Sequence, residues 1–140
     1  MSESQLVSAI LEALALEPGV VAWRNNTGLM YSGGRAIRYG LGKGSPDIVC
    51  CVMPWGRFLG LEAKVEDGIL SADQGRWRDK LRKGGGGSYF VVRSVADARR
   101  AVVEARRLPL TRQPIETAPD QTRAMPMTSQ VKSRSVTRRR

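Results

Sequence analysis

Two short apolar segments, separated by a turn and each carrying one carboxylate, constrain the fold of this 140-residue chain most strongly. Asp47 opens the first segment, 47–53, and Glu62 lies near the end of the second, 57–64. Pro54-Trp55-Gly56 interrupts the apolar pattern between them, which predicts a β-hairpin. If the strands pair about this turn, Asp47 faces Glu62 directly, with roughly 5 Å between the Cβ atoms on one face of the hairpin.

Lys64 lies two residues beyond Glu62, so strand alternation puts its ammonium on the same face, whereas Ala63 offers only its backbone carbonyl. Two facing carboxylates repel each other unless a cation lies between them, and a hard divalent ion such as Mg²⁺ takes oxygen ligands. Mg²⁺ held by Asp47, Glu62 and the Ala63 carbonyl would bind a phosphate oxygen and acidify a water that Lys64 orients. The pattern therefore indicates phosphodiester hydrolysis.

A structural interpretation of the same residues is the alternative. Asp after a glycine-rich loop is a common turn residue, and Glu-x-Lys on a strand is a common solvated face. Asp and Glu are nevertheless disfavoured in strands, and here they interrupt β-prone segments at facing positions beside a Lys. This coincidence favours the functional interpretation, provided that no bulge shifts the pairing by one residue.

With their flanking segments, these residues resemble the PD-(D/E)xK nuclease superfamily, whose two signatures match Pro46-Asp47 and Glu62-Ala63-Lys64. Within this superfamily, the chain resembles the VRR-NUC family of virus-type replication and repair nucleases, and this resemblance covers residues 2–104. It rests on an ordered set of segments: Glu3-Ser4-Gln5-Leu6, Trp23-Arg24-Asn25-Asn26-Thr27-Gly28, Gly44-Ser45-Pro46-Asp47, Glu62-Ala63-Lys64, Leu70-Ser71-Ala72-Asp73-Gln74-Gly75-Arg76-Trp77 and Gly87-Ser88-Tyr89-Phe90-Val91-Val92-Arg93-Ser94.

The resemblance implies a restriction-endonuclease-like core and a Mg²⁺- or Mn²⁺-dependent DNA endonuclease that acts on branched or structured DNA. Small stand-alone members of the family resemble homodimeric Holliday-junction resolvases, so a homodimer is implied as well. Gln74 is implied as a residue beside the metal, although Ser71-Ala72-Asp73-Gln74 is equally a capping box. Glu3 is implied as a further metal-site carboxylate, with a first-turn helix position as its alternative.

The segment 28–44 contains six glycines together with Arg35, Arg38 and Lys43, and we expect a long flexible basic loop there. Its amides and cations would follow a DNA backbone, and Arg24 is assigned to DNA binding with them. An ordinary hairpin connection is the alternative, but the length of the segment favours function or disorder. Gly42-Lys43-Gly44-Ser45 lacks the spacing of a Walker A loop, so no nucleotide cofactor is expected.

Hydrophobic periodicity predicts an α/β domain with the element order αβββαβα, a small mixed β-sheet flanked by helices. Trp23 and Trp77 are interpreted as core or helix-surface residues, and the neighbouring Cys50 and Cys51 as core residues of a reducing compartment. The elements are a helix at 3–16, strands at 20–25, 47–53 and 57–64, a helix that starts after Ser71 and ends at Gly84, a strand at 88–93 and a helix at 95–106.

Charge and composition divide the chain. The nuclease domain is assigned to residues 1–107 and a basic tail to 108–140, which contains four prolines and ends in Arg138-Arg139-Arg140. The net charge is +10, and residues 107–140 hold 8 Lys and Arg against 2 Asp and Glu. With few large apolar residues, the tail is expected to be disordered and to contact phosphates, a solvated tail being the alternative.

The absence of histidine excludes nucleases with a histidine general base as well as Ser-His and Cys-His hydrolases. Neither a signal peptide nor a membrane span is predicted, so a cytoplasmic protein of a bacterial or phage-infected cell is expected. A non-catalytic nucleic-acid-binding protein is the alternative function. The facing carboxylates argue against it, because a pure binder gains nothing from negative charge within a basic surface.

Overall fold

The computed structural model describes residues 1–84 and 87–107. The tail predicted from residue 108 onward therefore lies outside the described residues, and so does its boundary with the domain. Within the described ranges, no helix has the length and apolar character needed to cross a membrane. The elements are α1 (Glu3–Ala15), β1 (Val20–Arg24), β2 (Gly28–Ser32), β3 (Arg35–Tyr39), β4 (Ile48–Val52), β5 (Arg57–Ala63), α2 (Ala72–Lys83), β6 (Gly87–Val92) and α3 (Val95–Arg107).

Four strands form a mixed sheet in the order β1-β4-β5-β6. β1, β4 and β5 are antiparallel neighbours, and β6 pairs parallel with β5 after the crossover through α2. Apart from β2 and β3, the elements follow the predicted αβββαβα order, and the predicted class, a mixed sheet flanked by helices, is confirmed.

The β4–β5 hairpin has the register that the sequence predicts. Ile48 pairs with Leu61 and Val52 pairs with Arg57, without a bulge between them. One step beyond the last pair, the same register sets Asp47 opposite Glu62.

The main core lies between one face of the sheet and the helices α1 and α3. Ile10 and Leu14 of α1, one helical turn apart, are fully buried together with Val102 of α3. Alternate strand residues complete this core: Ile48, Cys50, Val52, Leu59, Leu61, Ala63 and Val92. Because side chains alternate along a strand, Glu62 points to the opposite face of the sheet.

Both cysteines are free thiols. Burial, with a smaller contribution from the neighbouring Cys51, raises the pKa of Cys50 to about 12, so this thiol is neutral and behaves as an apolar core residue. Cys51 is only partly buried. Trp23, interpreted from sequence as a core or helix-surface residue, is 49% exposed because it lies on the edge strand β1 and on the face away from α1 and α3.

The segment 28–44 is not the flexible loop predicted from sequence. Its strands β2 and β3 pair antiparallel as a separate two-stranded sheet, with Gly28 opposite Tyr39 and Ser32 opposite Arg35. Gly33 and Gly34 form the turn with φ values of 56° and 73°, and two positive φ values are what a two-residue type I′ hairpin turn requires. The Gly-Gly dipeptide between two β-prone segments was a hairpin signal.

Candidate active site

Asp47, Glu62 and Lys64 lie together at the end of the β4–β5 hairpin that is remote from its turn. Lys64 Nζ is 2.9 Å from Glu62 Oε1. The Ala63 amide donates a 2.9 Å hydrogen bond to Asp47 Oδ2, which fixes the carboxylate that precedes β4 against the end of β5. The Ala63 methyl group is buried in the main core, so this residue meets Asp47 through its backbone.

Three donors hold the Glu62 carboxylate, which is almost fully buried. Lys64 and the Gln74 side-chain amide both donate to Oε1, while the Tyr89 hydroxyl donates to Oε2 over 3.2 Å. A buried carboxylate that lacked such donors would strongly destabilise the fold. The three contacts therefore fix both the position and the orientation of Glu62.

Gln74 both caps α2 and contacts Glu62, while its implied place beside a metal stays a prediction. Its side-chain Oε1 accepts a 2.8 Å hydrogen bond from the Ser71 backbone amide. The Gln74 backbone amide donates to Ser71 Oγ over 3.3 Å, which completes the capping box of α2. Its Nε2 donates to Glu62. The two roles are compatible because the side-chain amide uses its oxygen for the cap and its nitrogen for the site.

Asn25 holds the segment that leads into Asp47. Its Nδ2 donates to Ser45 Oγ and to the Pro46 carbonyl, each over 2.8 Å, and its backbone amide donates to the Asp47 carbonyl over 2.8 Å. Pro46 is fully buried, and a Cβ on Gly60 would lie 2.7 Å from its Cγ. Glycine at position 60 is thus what allows Pro46 to pack on β5 and deliver Asp47 to the site.

Asn25 and Tyr89 are not among the site residues predicted from sequence. For Asn25 a weak signal existed, since Asn after a strand favours a turn in which its side chain bonds to nearby backbone groups. Tyr89 lies in a segment that carries the family resemblance, but no local pattern assigns it to the site, because its position beside Glu62 depends on the parallel pairing of β6 with β5, which sets Tyr89 opposite Gly60.

Burial raises the pKa of both carboxyl groups above their ordinary values. For Asp47 the Ala63 amide and Lys64 partly offset this effect, while the negative charge of Glu3 adds to it. For Glu62 the hydrogen bond from Lys64 partly offsets burial, and the charge of Asp47 adds to it. Burial acts to lower the pKa of Lys64, but the hydrogen bond and charge of Glu62 outweigh it, so the pKa is raised and Lys64 is an ammonium.

Glu3 lies at the border of this group. It stands in the first turn of α1, whose N-cap is Ser2, and its Oε1 is 4.0 Å from Lys64 Nζ. Its side chain is half exposed. The first-turn position and the proximity to the site are therefore both observed.

The donor set suits a hard divalent cation. The acidic side chains supply oxygen atoms, and Asp47 Oδ1 accepts no hydrogen bond from the described residues. Burial raises the pKa of both groups even with Lys64 nearby. No group of three or more Asp, Glu, His or Cys residues with metal-binding geometry occurs in the parts of the chain that the structure describes. Asp47 and Glu62 would consequently need further oxygen ligands, such as the Ala63 carbonyl and water.

Of the four cations predicted to bind DNA, one borders the acidic group and the other three lie outside it. Arg24 donates to Ser4 Oγ over 3.3 Å, and its charge acts on the pKa of Asp47, so it borders the acidic group. Lys43 is mostly exposed and lies 3.2 Å from Asp73 Oδ2, while its carbonyl accepts a hydrogen bond from Trp77 Nε1. Arg35 and Arg38 lie on β3, outside the acidic group.

Comparison with solved structures gives similar chains. A solved structure described as a "VRR_NUC domain" is 22% identical to this chain with a TM-score of 0.43, over 72% of this chain and 90% of that one. Its description names the family that the sequence motifs resemble. No family model and no curated protein matches the chain.

Proposed function

We propose that this protein is a metal-dependent DNA endonuclease that hydrolyses phosphodiester bonds at the site formed by Asp47, Glu62 and Lys64. The observation that carries the proposal is that a partly buried carboxyl group, Asp47, and a buried one, Glu62, face each other at the end of the β4–β5 hairpin beside the Lys64 ammonium. Burial raises the pKa of both groups and so disfavours their charged forms, and a bound divalent cation would offset this cost.

The side chains divide the chemical work between them. Asp47, Glu62 and the Ala63 carbonyl would hold Mg²⁺ or Mn²⁺, which when bound supplies a Lewis acid and acidifies a water molecule. Lys64 remains protonated at neutral pH, so it donates a hydrogen bond to the attacking water or to a phosphate oxygen and does not accept a proton. Gln74 and Tyr89 keep Glu62 in the orientation that the site needs.

DNA is the proposed substrate because cations flank the acidic group. No acidic residue occurs between Glu17 and Asp47, whereas Arg24, Arg35, Arg38 and Lys43 all lie in this stretch. Lys and Arg side chains contact backbone phosphates, and a negatively charged site surrounded by cations accepts a polyanion without net repulsion.

We further propose that the substrate is branched or structured DNA and that the enzyme acts as a homodimer. One site of this kind cuts one strand, and paired cuts in a symmetric junction need two sites related by a two-fold axis. A second copy of the chain supplies that site.

Cleavage of end-labelled linear, nicked, flap and four-way DNA tests the proposal. We expect products with Mg²⁺ or Mn²⁺ and none with EDTA, more rapid cleavage of branched than of linear DNA, and a dimer by sedimentation. Cleavage of all four substrates at equal rates by a monomer would contradict the junction assignment while leaving the nuclease assignment intact. Failure to cleave any DNA with either metal would contradict both.

A further inference from the structure

The two-stranded sheet formed by β2, the Gly33-Gly34 turn and β3, referred to here as the β-ribbon, exposes apolar side chains to solvent. Within β2 and β3 every residue other than Gly28 is exposed, and Tyr31 is 74% exposed. Its large exposed apolar residues are Leu29, Met30, Tyr31, Ile37 and Tyr39. An isolated hairpin is only marginally stable in water, and concentrated apolar exposure marks an interaction site.

The exposed side chains are divided between both faces of the β-ribbon. The cross-strand pairs put Leu29, Tyr31 and Arg38 on one face. They put Met30, Ile37, Tyr39 and Arg35 on the other. Each face thus combines an aromatic ring, an aliphatic side chain and one cation. A strand pair that docks on a protein surface needs only one apolar face. Apolar side chains on both faces instead fit an element that its partner contacts from both sides.

The positive charge of the β-ribbon indicates which kind of molecule it binds. Arg35 and Arg38 are its charged residues, and no acid lies between Glu17 and Asp47. Two copies of the β-ribbon packed together would bring like charges close to one another, which is unfavourable. Aromatic rings next to arginines are instead the combination that binds nucleic acid with exposed bases, because each base offers a face for stacking while the cations meet phosphates.

The base of the β-ribbon is joined to the segment that leads into Asp47. At its base, a Cβ on Gly40 would lie 2.5 Å from the Asn26 carbonyl oxygen, so the two ends of the β-ribbon are in close contact. In the segment between the β-ribbon and Asp47, Lys43 forms an ion pair with Asp73, and Ser45 accepts a hydrogen bond from the Asn25 side chain. A base that contacts the β-ribbon would therefore belong to the same DNA as the phosphate at the site.

We propose that the β-ribbon is a DNA-contact element in which Tyr31 stacks on unpaired bases while Arg35 and Arg38 contact the adjoining phosphates. The proposal rests on the DNA-cleaving function proposed above for its choice of partner. In a duplex the base faces are covered by neighbouring pairs, whereas the unpaired arms of a fork expose them. The β-ribbon would consequently favour DNA that contains unpaired segments.

Fluorescence anisotropy in EDTA tests the proposal without cleavage, with a forked DNA and a fully paired duplex of equal length as probes. We expect Tyr31→Ala to weaken binding to the fork about tenfold, the scale of one lost base-stacking contact, and to leave binding to the duplex unchanged. Tyr31→Phe should bind as the unmodified protein does. Trp55→Ala is the matched control, because Trp55 is 60% exposed at the β4–β5 turn, away from Asp47.

A 2-aminopurine base in the unpaired arm reports stacking directly. Its fluorescence should be quenched by the unmodified protein and by Tyr31→Phe, and not by Tyr31→Ala. Equal loss of affinity for fork and duplex, no loss for either, or a change of oligomeric state alone would overturn the proposal. A protein that binds forks through Tyr31 but cleaves no DNA would contradict the nuclease function and leave the β-ribbon assignment standing.

Discussion

Two carboxyl groups, the partly buried Asp47 and the buried Glu62, lie where burial disfavours their ionised forms. A carboxyl group whose pKa is raised by burial binds its proton more tightly in the folded than in the unfolded chain. Ionisation of Asp47 or Glu62 therefore destabilises the folded protein, and the effect grows as pH rises above the ordinary values of 3.8 for Asp and 4.5 for Glu. A bound divalent cation would offset this destabilisation, because it favours the ionised carboxylates.

Asp47→Asn tests this constraint, because the amide oxygen still accepts the hydrogen bond from the Ala63 amide while the charge is removed. Without metal at pH 7 we expect the variant to melt a few degrees above the unmodified protein, the scale of about 1 kcal/mol in a domain of this size. The difference should shrink as pH falls through the raised pKa of the folded protein, and should vanish below 3.8, where the carboxyl group is protonated in the folded and the unfolded chain.

Thermal melts with EDTA, Mg²⁺ and Mn²⁺ provide the measurement. Metal should raise the melting temperature of the unmodified protein through preferential binding to the folded state, and should have little effect on Asp47→Asn. If metal stabilised both proteins equally, Asp47 would not be a ligand. A metal-free variant less stable than the unmodified protein would contradict the unfavourable burial of the charge.

Tyr89→Phe tests the support of Glu62, since it removes one hydroxyl donor and keeps the ring in its fully buried position. We expect the cleavage rate to fall about tenfold and the metal concentration for half-maximal rate to rise, because partners that orient a metal ligand commonly change activity or affinity by 10–100-fold. DNA affinity in EDTA should be unchanged. An unchanged rate and metal dependence would assign Tyr89 to packing alone.

Among the secondary-structure elements, the β4–β5 hairpin delivers both carboxylates, and its geometry depends on the close approach of Pro46 to Gly60. A Cβ at position 60 would lie 2.7 Å from Pro46 Cγ and 3.4 Å from the Tyr89 ring. Since Pro46 directly precedes Asp47, a displacement of the proline ring is transmitted to the site.

Gly60→Ala should therefore destabilise the protein by about 1–3 kcal/mol and reduce cleavage. Gly75→Ala is the matched control, because Gly75 lies within α2 and a Cβ there would meet nothing within 4 Å. There the alanine should stabilise by about 0.5–1 kcal/mol through its higher helix propensity. Urea unfolding of both variants measures the difference, and equal effects of the two substitutions would refute the packing role of Gly60.

The elements also show how far the sequence determines the site. The β4–β5 register follows from the turn at Pro54-Trp55-Gly56 and from the alternation of apolar residues, both of which are local in the chain. The β-ribbon was missed although Gly33-Gly34 is a local hairpin signal, because the glycine content of the segment was interpreted as flexibility. Tyr89 depends on a parallel pairing between distant segments, which no local pattern specifies.

At the scale of the whole molecule, the helices and the cations are arranged around the acidic group. α1 and α3 cover one face of the sheet, while α2 contributes Gln74 to the site and joins Lys43 through Asp73 and Trp77. A cavity of about 230 Å³ between α2 and Lys43 is lined by Lys43, Asp73, Arg76, Trp77 and Lys80. Arg24 acts on Asp47, and Lys43 precedes Asp47 in the chain and contacts α2 through Asp73, so cations accompany the acidic group, as a site for a polyanion requires.

The most direct measurement of the proposed function is the metal-dependent cleavage of supercoiled plasmid DNA by Lys64→Ala, next to the unmodified protein and Arg99→Ala. Arg99 is the matched control because it is an exposed cation on α3 that lies near Glu17, outside the candidate site. Circular dichroism should first establish that Lys64→Ala is folded, as Glu62 retains hydrogen bonds from Gln74 and Tyr89.

The unmodified protein and Arg99→Ala should cleave the plasmid with Mg²⁺ or Mn²⁺ and not with EDTA. Lys64→Ala should be slower by about 100-fold or more, the scale of losing one electrostatic stabiliser of the transition state, with nearly unchanged DNA affinity, because one ammonium is a small part of the phosphate-binding charge. Cleavage by Lys64→Ala at the unmodified rate, or cleavage by any of the three proteins in EDTA, would contradict the assignment of Asp47, Glu62 and Lys64 as a metal-dependent nuclease site.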